Sequence, residues 1–305
     1  MVSEALKHVV VAGGSGLVGR PLVQTLVSQG VLVTVLSRRP EYLTVPAGAG
    51  AHDWEDLPAV LDGADALVNL AGEGIAEKRW SPERKSVLRE SRVEPTRHLV
   101  EALRDCARPP RVLVNASAVG WYGPRGATPV DETAAPGTGF LAGTCRAWEG
   151  EAMAAEDFGV RVVPVRFGVV LTREGGALPK MALPVRWFQG SRLGSGTQGL
   201  SWIHRDDLVA LLVEAIGNPA WHGPFNGTAP EPLGQAAFTR LIARRLHRPM
   251  LPLPGALTAA ALKLALGEMA EELLLQGAYV LPAKAQAMGF RFRFPTAEAA
   301  LADLL

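Results

Sequence analysis

Short apolar runs recur along the chain, each closing on small or polar residues and each followed by a stretch of helical period. Val9, Val10, Val11 and Ala12 open the series, and Val18, Leu22 and Leu26 follow at helical spacing, with Gly30 in a stop position. Val31–Leu36 predicts a second strand, and His52, Asp53 and Trp54, after a glycine-rich connection, a short third one. Ala66–Gly72 predicts a fourth. Ser81, Pro82 and Glu83 then give a hydroxyl cap, a proline at the first helical turn and a carboxylate near the positive dipole end, so a helix is expected to about Asp105. Arg111–Ala118 and Arg161–Leu171 supply two further strands. Strand and helix in strict alternation predict an α/β chain with a doubly wound parallel sheet.

The connection after the first strand carries the chemistry. Gly14, Gly16 and Gly19 satisfy G-x-G-x-x-G within the run from Gly13 to Gly19, after a strand and before a helix. In that context one glycine allows a tight turn, one lets the backbone approach a pyrophosphate and one lets helix and strand pack closely. The backbone N–H groups of Ser15, Gly16, Leu17 and Val18 would face the phosphates at the positive end of the helix. This is the signature of a Rossmann-type dinucleotide site.

The end of the second strand selects the dinucleotide. An acid there would accept from the adenosine ribose, but Ser37, Arg38 and Arg39 stand in its place, and such groups hold a 2′-phosphate through charge-assisted hydrogen bonds. NADP(H) is therefore the expected cofactor; the alternative for Arg38 and Arg39 is a solvated loop pair. Asp53 is placed to approach the adenine amino group or to serve as a plain loop residue. Arg92, on the long helix, either reaches a ribose or phosphate or lies on a wet face.

Composition narrows the rest. The chain has 305 residues, 48% of them apolar, with 31 basic against 30 acidic side chains, so its total charge of +1 provides no global attraction for nucleic acid or an anionic membrane. Neither partner is expected; a small-molecule substrate is. With the first strand so close to the start, no signal peptide is expected, and with the apolar stretch Leu251–Leu275 interrupted by Pro252, Pro254 and Lys263, no membrane span is expected. Two cysteines, Cys106 and Cys145, suit a reducing compartment, and a cytoplasmic location is expected. The six histidines show no metal-ligand spacing, so no metal is expected.

Residues 175–202, rich in glycine, proline and tryptophan, predict an irregular lid. Trp121, Phe140, Met181, Trp187 and Trp202 are candidate walls of a semi-apolar pocket near Ser117, His204 and Arg205. Phe290, Phe292 and Phe294, alternating with Arg291 and Arg293, predict a short aromatic strand; Arg240, Arg244, Arg245 and Arg248 read as a solvated helix face. The expected division is a dinucleotide-binding domain over 1–170, rejoined by 201–230, and a smaller lobe from 171–200 and 231–305.

With the glycine loop, NLAG, ASAVGWYG, WEGEA, LGSGTQGLSWIH, GPFNGTAP and GFRFRFP in order, the whole chain resembles the extended short-chain dehydrogenase/reductase superfamily. Within it, the chain is similar to the atypical branch called epimerase family proteins, or sugar-nucleotide epimerases, which carry a C-terminal domain of unknown function. The resemblance implies that Leu70, Ala71 and Gly72 line the adenosine side, that Arg92 and Val170 lie along the cofactor, and that Ser117 stands near the nicotinamide. It also implies a serine, tyrosine and lysine mechanism of which only Ser117 is present. No Tyr-x-x-x-Lys occurs, and its slot holds Leu141 and Cys145. Tyr122 is the best remaining phenol, either as proton donor or as an aromatic wall, and Glu73 is a second acid–base candidate. Cys145 is expected to be a packed helical residue. Two functions follow: an oxidoreductase on a small hydroxyl or carbonyl compound, using Ser117 and Tyr122, or a catalytically weak NADP(H)-binding sensor or scaffold.

Overall fold

The computed structural model describes residues 6–305. Its β-branched runs are buried on both faces, as parallel strands covered by helices must be. Seven strands form one parallel sheet: β1 (His8–Ala12), β2 (Leu32–Leu36), β3 (Ala49–His52), β4 (Ala66–Asn69), β5 (Val112–Ala118), β6 (Arg161–Phe167) and β7 (Phe225–Gly227), in the order β7-β6-β5-β4-β1-β2-β3. The alternation along β1 divides the core. Val9 and Val11 pack with Leu22 and Leu26 of α1 (Gly19–Ser28) and Leu208 and Leu212 of α6 (Arg205–Gly217). Val10 and Ala12 face the other way, beside Leu61 of α2 (Leu57–Leu61) and Leu99 and Leu103 of α3 (Pro82–Arg104). Against α3 lies α4 (Phe140–Met153).

Strand order reverses beside β1, whose neighbours are β2 and β4. Beyond the C-terminal ends of the strands at such a reversal, here β1 and β4, doubly wound sheets bind ligands.

Several expectations shift. The third strand is Ala49–His52, so Asp53 and Trp54 follow it; the Asp53 carboxylate accepts from Glu55 N–H at 3.0 Å and closes a turn. The sixth run breaks at Gly168, where an added Cβ would stand 2.8 Å from the Ser201 carbonyl oxygen. Beyond it Val169–Leu171 leaves the main sheet and pairs with Trp202–His204. The segment expected to be irregular contains a ten-residue helix, α5 (Ala177–Arg186).

The aromatic tail is not a strand. Its N–H groups at Arg293 and Phe294 donate to the buried carboxylate of Asp207, at 2.7 and 2.9 Å, rather than to a ladder. His204 caps α6 by accepting the Asp206 N–H at Nδ1, which leaves the ring proton on Nε2, 3.4 Å from the Asp303 carboxylate. Its ring stacks on Phe294 at 3.9 Å between centroids. The start of α6 thus clamps the last segment of the chain, and the last helix, Ala297–Leu304, packs on α7 (Gln235–Arg245). The clamp is testable: Asp207→Ala leaves two enclosed N–H groups without an acceptor and is expected to lower the unfolding free energy by about 2–4 kcal/mol in urea titration, with Asp207→Asn losing less.

Candidate functional site

The glycine loop is built by close backbone approach. Gly13 has a φ of +77°, and an added Cβ would meet the Leu70 carbonyl oxygen at 2.6 Å, so only glycine lets β1 turn this tightly beside the end of β4. At Gly19 a Cβ would overlap the Gly13 carbonyl, which is how α1 comes to lie against the loop. Ser15, Gly16 and Leu17 are exposed, and the Gly16 N–H is fixed by the Gly13 carbonyl at 3.0 Å. The first turn of α1 has no acidic residue and its N-cap no side-chain hydrogen bond. A helix start left positive and uncapped, behind an exposed loop of small residues, has the form of a diphosphate cradle.

The surrounding expected residues gather at the same edge. Ser37 Oγ accepts from the Arg39 N–H at 3.1 Å, while Arg38 and Arg39 are exposed. Leu70 N–H donates to Ala12 at 2.9 Å, and Ala71 N–H to Asn69 Oδ1 at 3.1 Å, so the strip Leu70–Gly72 is held flat beside the loop. Behind it, buried Asn69 donates to Thr96 Oγ1 and Asn115 Oδ1, at 2.8 and 2.7 Å. The turn following Val170 rests on Leu17: a Cβ at Gly176 would lie 3.0 Å from the Leu17 side chain and 3.7 Å from the Val170 carbonyl oxygen.

Arg92 is drawn inward rather than outward. It donates to the Leu88 carbonyl at 2.7 Å and the Glu73 carbonyl at 2.8 Å, and its guanidinium lies 5.5 Å from the Trp148 ring centroid. Burial lowers its pKa. The Glu73 carboxylate is exposed and bonded to Arg84; that bond chiefly, with the charges of Arg84, Lys78 and Arg38, lowers its pKa.

At the end of β5 the arrangement is polar and enclosed. Ser117 is 2% exposed and donates to Glu149 at 2.5 Å. Glu149 in turn receives two bonds from Arg166 of β6, at 2.9 and 2.8 Å. The remaining Arg166 amino group donates to the Tyr122 hydroxyl at 2.9 Å, and that hydroxyl donates to Asn226 of β7 at 2.7 Å. Tyr122 is completely buried, and desolvation pushes its pKa up to about 12 despite the neighbouring Arg166 charge. Burial disfavours the Arg166 charge, but Glu149 more than restores it. Leu141, Cys145 and Glu149 recur at intervals of four on α4, one above another on a single helix face. Cys145 lies against the Ala118 carbonyl at 3.6 Å, and desolvation lifts its thiol to about 11.

The candidate walls have different packing partners, although Met181 and Trp202 belong to one cluster. Trp202 is buried beside Phe238, Phe140 packs edge-on against Trp80, Trp121 stacks on Arg166 at 3.9 Å, and Trp187 is 71% exposed. Glu149, Arg166 and Asn226 were not among the expected site residues. The one signal for them is an arginine inside an otherwise apolar strand, which must find a buried counter-charge.

The fold and loop define a dinucleotide-binding protein of the short-chain dehydrogenase/reductase type. The chain belongs to the NAD dependent epimerase/dehydratase family, whose model matches residues 9–226; residues 257–304 match a domain of unknown function, DUF1731. An epimerase family protein of Mycobacterium leprae is 38% identical, covering 99% of this chain and 97% of its own length. The chloroplastic SDR39U1 homolog of Arabidopsis thaliana is 40% identical over 99% of this chain and 88% of its own. Among solved structures, the human epimerase family protein SDR39U1 with NADPH superposes with a TM-score of 0.87 at 34% identity, covering 97% of this chain and 98% of that one. A nucleoside-diphosphate sugar epimerase of Corynebacterium glutamicum gives 0.80 at 34% identity, covering 99% of this chain and 58% of that one.

The enclosed network makes two predictions. Glu149→Gln strands the Arg166 charge and is expected to cost about 3–5 kcal/mol in denaturant unfolding. For Tyr122, the folded pKa lies above the ordinary phenol value of about 10, so its stabilising contribution is full below about pH 10 and is lost as pH rises through about 12. Alkaline spectrophotometric titration of wild type against Tyr122→Phe should show the missing transition near pH 12; a transition near 10 would refute the assignment.

Proposed function

We propose that this chain is an NADP(H)-binding protein of the short-chain reductase type, built to hold the dinucleotide and weak or inactive in tyrosine-type proton transfer, so that it acts as a sensor or scaffold through cofactor occupancy. The observation that carries this is the state of the acid–base candidates. Tyr122 is buried and committed to Asn226, Cys145 is buried with a raised pKa, and Glu73 is held ionised by Arg84. None of them is poised to exchange a proton at neutral pH.

The cofactor preference rests on the Ser37–Arg39 edge, where two exposed guanidinium groups and no carboxylate end β2. The NADPH in the human relative's structure supports the same reading. Bound there, the dinucleotide would supply hydride chemistry; the chain's own part is to cradle it with Gly13–Val18, neutralise its 2′-phosphate with Arg38 and Arg39, and keep its adenosine side against Leu70, Ala71 and Gly72. A sugar-nucleotide epimerase needs a tightly held oxidised cofactor, usually NAD, so the arginine-rich edge argues against epimerase activity.

A second reading, an oxidoreductase on a small hydroxyl or carbonyl compound, is favoured by one contact. The Ser117 hydroxyl at the C-terminal end of β5 is backed by Glu149 at 2.5 Å, which fixes its orientation. The two free cysteines fit a reducing compartment such as the cytoplasm.

Calorimetric titration of the cofactor-stripped protein tests the first reading. NADPH should bind at least about tenfold more tightly than NADH, and Arg38→Glu should weaken NADPH by roughly ten- to a hundredfold while sparing NADH. Equal losses for both would remove Arg38 from the site. Steady consumption of NADPH with any of a panel of carbonyl compounds, abolished by Ser117→Ala, would replace the first reading with the second.

A further inference from the structure

The near-zero total charge conceals a local asymmetry. Residues 175–204 contain no Asp or Glu but carry Lys180, Arg186 and Arg192; residues 232–267 likewise contain no acid and carry Arg240, Arg244, Arg245, Arg248 and Lys263. The fold lays these two stretches side by side. The Leu251 N–H donates to the Gly190 carbonyl at 2.7 Å, the Gly194 N–H to Thr258 Oγ1 at 3.1 Å, and the Arg248 guanidinium lies 4.5 Å from the Phe188 ring centroid. Arg186, Arg192 and Arg248 are exposed, with no carboxylate partner among the described residues.

Apolar side chains project from the same strip. Trp187 is 71% exposed, Phe188 53% and Leu257 58%, with Leu251 and Leu253 more than a third exposed. Gly255–Leu266, a helix of alanine and leucine apart from Gly255, Thr258 and Lys263, buries only Gly255 and Thr258. Phe188 is held outward at a cost. It follows α5 with a φ of +60°, a left-handed position that glycine or asparagine normally fills and that strains a bulky residue.

We propose that this strip is a docking surface for an anionic lipid bilayer. Protruding Trp, Phe and Leu side chains suit insertion among acyl chains, since they stand out singly and do not wall a groove of the kind a peptide helix would enter. The arginines beside them, which have no carboxylate partner, suit lipid phosphates. No helix among the described residues is long and apolar enough to cross a membrane, so the contact is peripheral. It is independent of the dinucleotide reading.

The test is flotation of the full chain with vesicles of phosphatidylcholine alone and of phosphatidylcholine with phosphatidylglycerol at roughly 3:1. Each arginine at an anionic surface contributes about fivefold to binding, so partitioning should be at least tenfold (about 1.4 kcal/mol) stronger on the anionic vesicles and should fall with added salt. Arg186→Gln with Arg248→Gln should remove most of that preference, and Trp187→Ser should weaken binding to both. Phe188→Gly separates docking from folding: it relieves the backbone strain, so it should unfold no more easily than wild type yet bind vesicles more weakly. Equal partitioning on the two vesicle types, or none, overturns the proposal. A concentration-dependent dimer in sedimentation, lost in Trp187→Ser while vesicles stay unbound, would instead make the strip a self-association surface.

Discussion

Glu149 and Arg166 face each other at 5% and 2% exposure, and the polar end of the sheet is arranged around that pair. Two charges so far from water are tolerated because each is saturated: the carboxylate by Ser117 and two guanidinium N–H groups, the guanidinium by the carboxylate and Tyr122. The pair ties β5, α4 and β6 together, and through Tyr122 it reaches Asn226 on β7. Asn226 extends the chain of contacts, since its N–H donates to Glu132 at 3.0 Å and its side chain to the Leu281 carbonyl at 2.9 Å. One ion pair thereby links α4, through Tyr122 and Asn226, to the backbone at Leu281.

That coupling bears on the chemistry. A phenol that must move a proton needs access to substrate and a pKa brought toward neutrality, usually by a nearby cation. Here the cation is present, but its charge is committed to Glu149, and complete burial wins over its influence on Tyr122. The same side chains that make the end of β5 rigid therefore deprive it of an ordinary acid. The glycine loop, by contrast, remains exposed, with its helix start uncapped.

The last segment of the chain is attached by a similar economy of polar contacts. Asp207 accepts two tail N–H groups, His204 stacks on Phe294, and Arg205 bonds Glu174, so the start of α6 serves as the fastening for segments on both sides of it. Away from that fastening, the strip around Trp187 and Gly255–Leu266 is left uncovered.

By itself the sequence determined the central strands, because runs such as Val9–Ala12 and Arg111–Ala118 have one low-energy fate, burial between helix layers, and because Gly13 alone allows the backbone to turn so close to Leu70; the edge strand Phe225–Gly227 carries no such run and was not foreseen. The glycine loop and the Ser37–Arg39 edge were legible as well, since they lie within one strand-helix-strand unit. The sequence misjudged elements whose partners are remote. The tail phenylalanines alternate like a strand, yet Asp207, 86 residues away from Arg293, takes the hydrogen bonds a strand would have needed. Glu149, Arg166 and Asn226 meet only because β5, β6 and β7 are neighbours in the sheet, and no local pattern records that adjacency. The burial of Ser117 and Tyr122 and their bonds to Glu149, Arg166 and Asn226 are likewise properties of the tertiary structure, since what surrounds a hydroxyl depends on which strands are neighbours and not on its position in the chain.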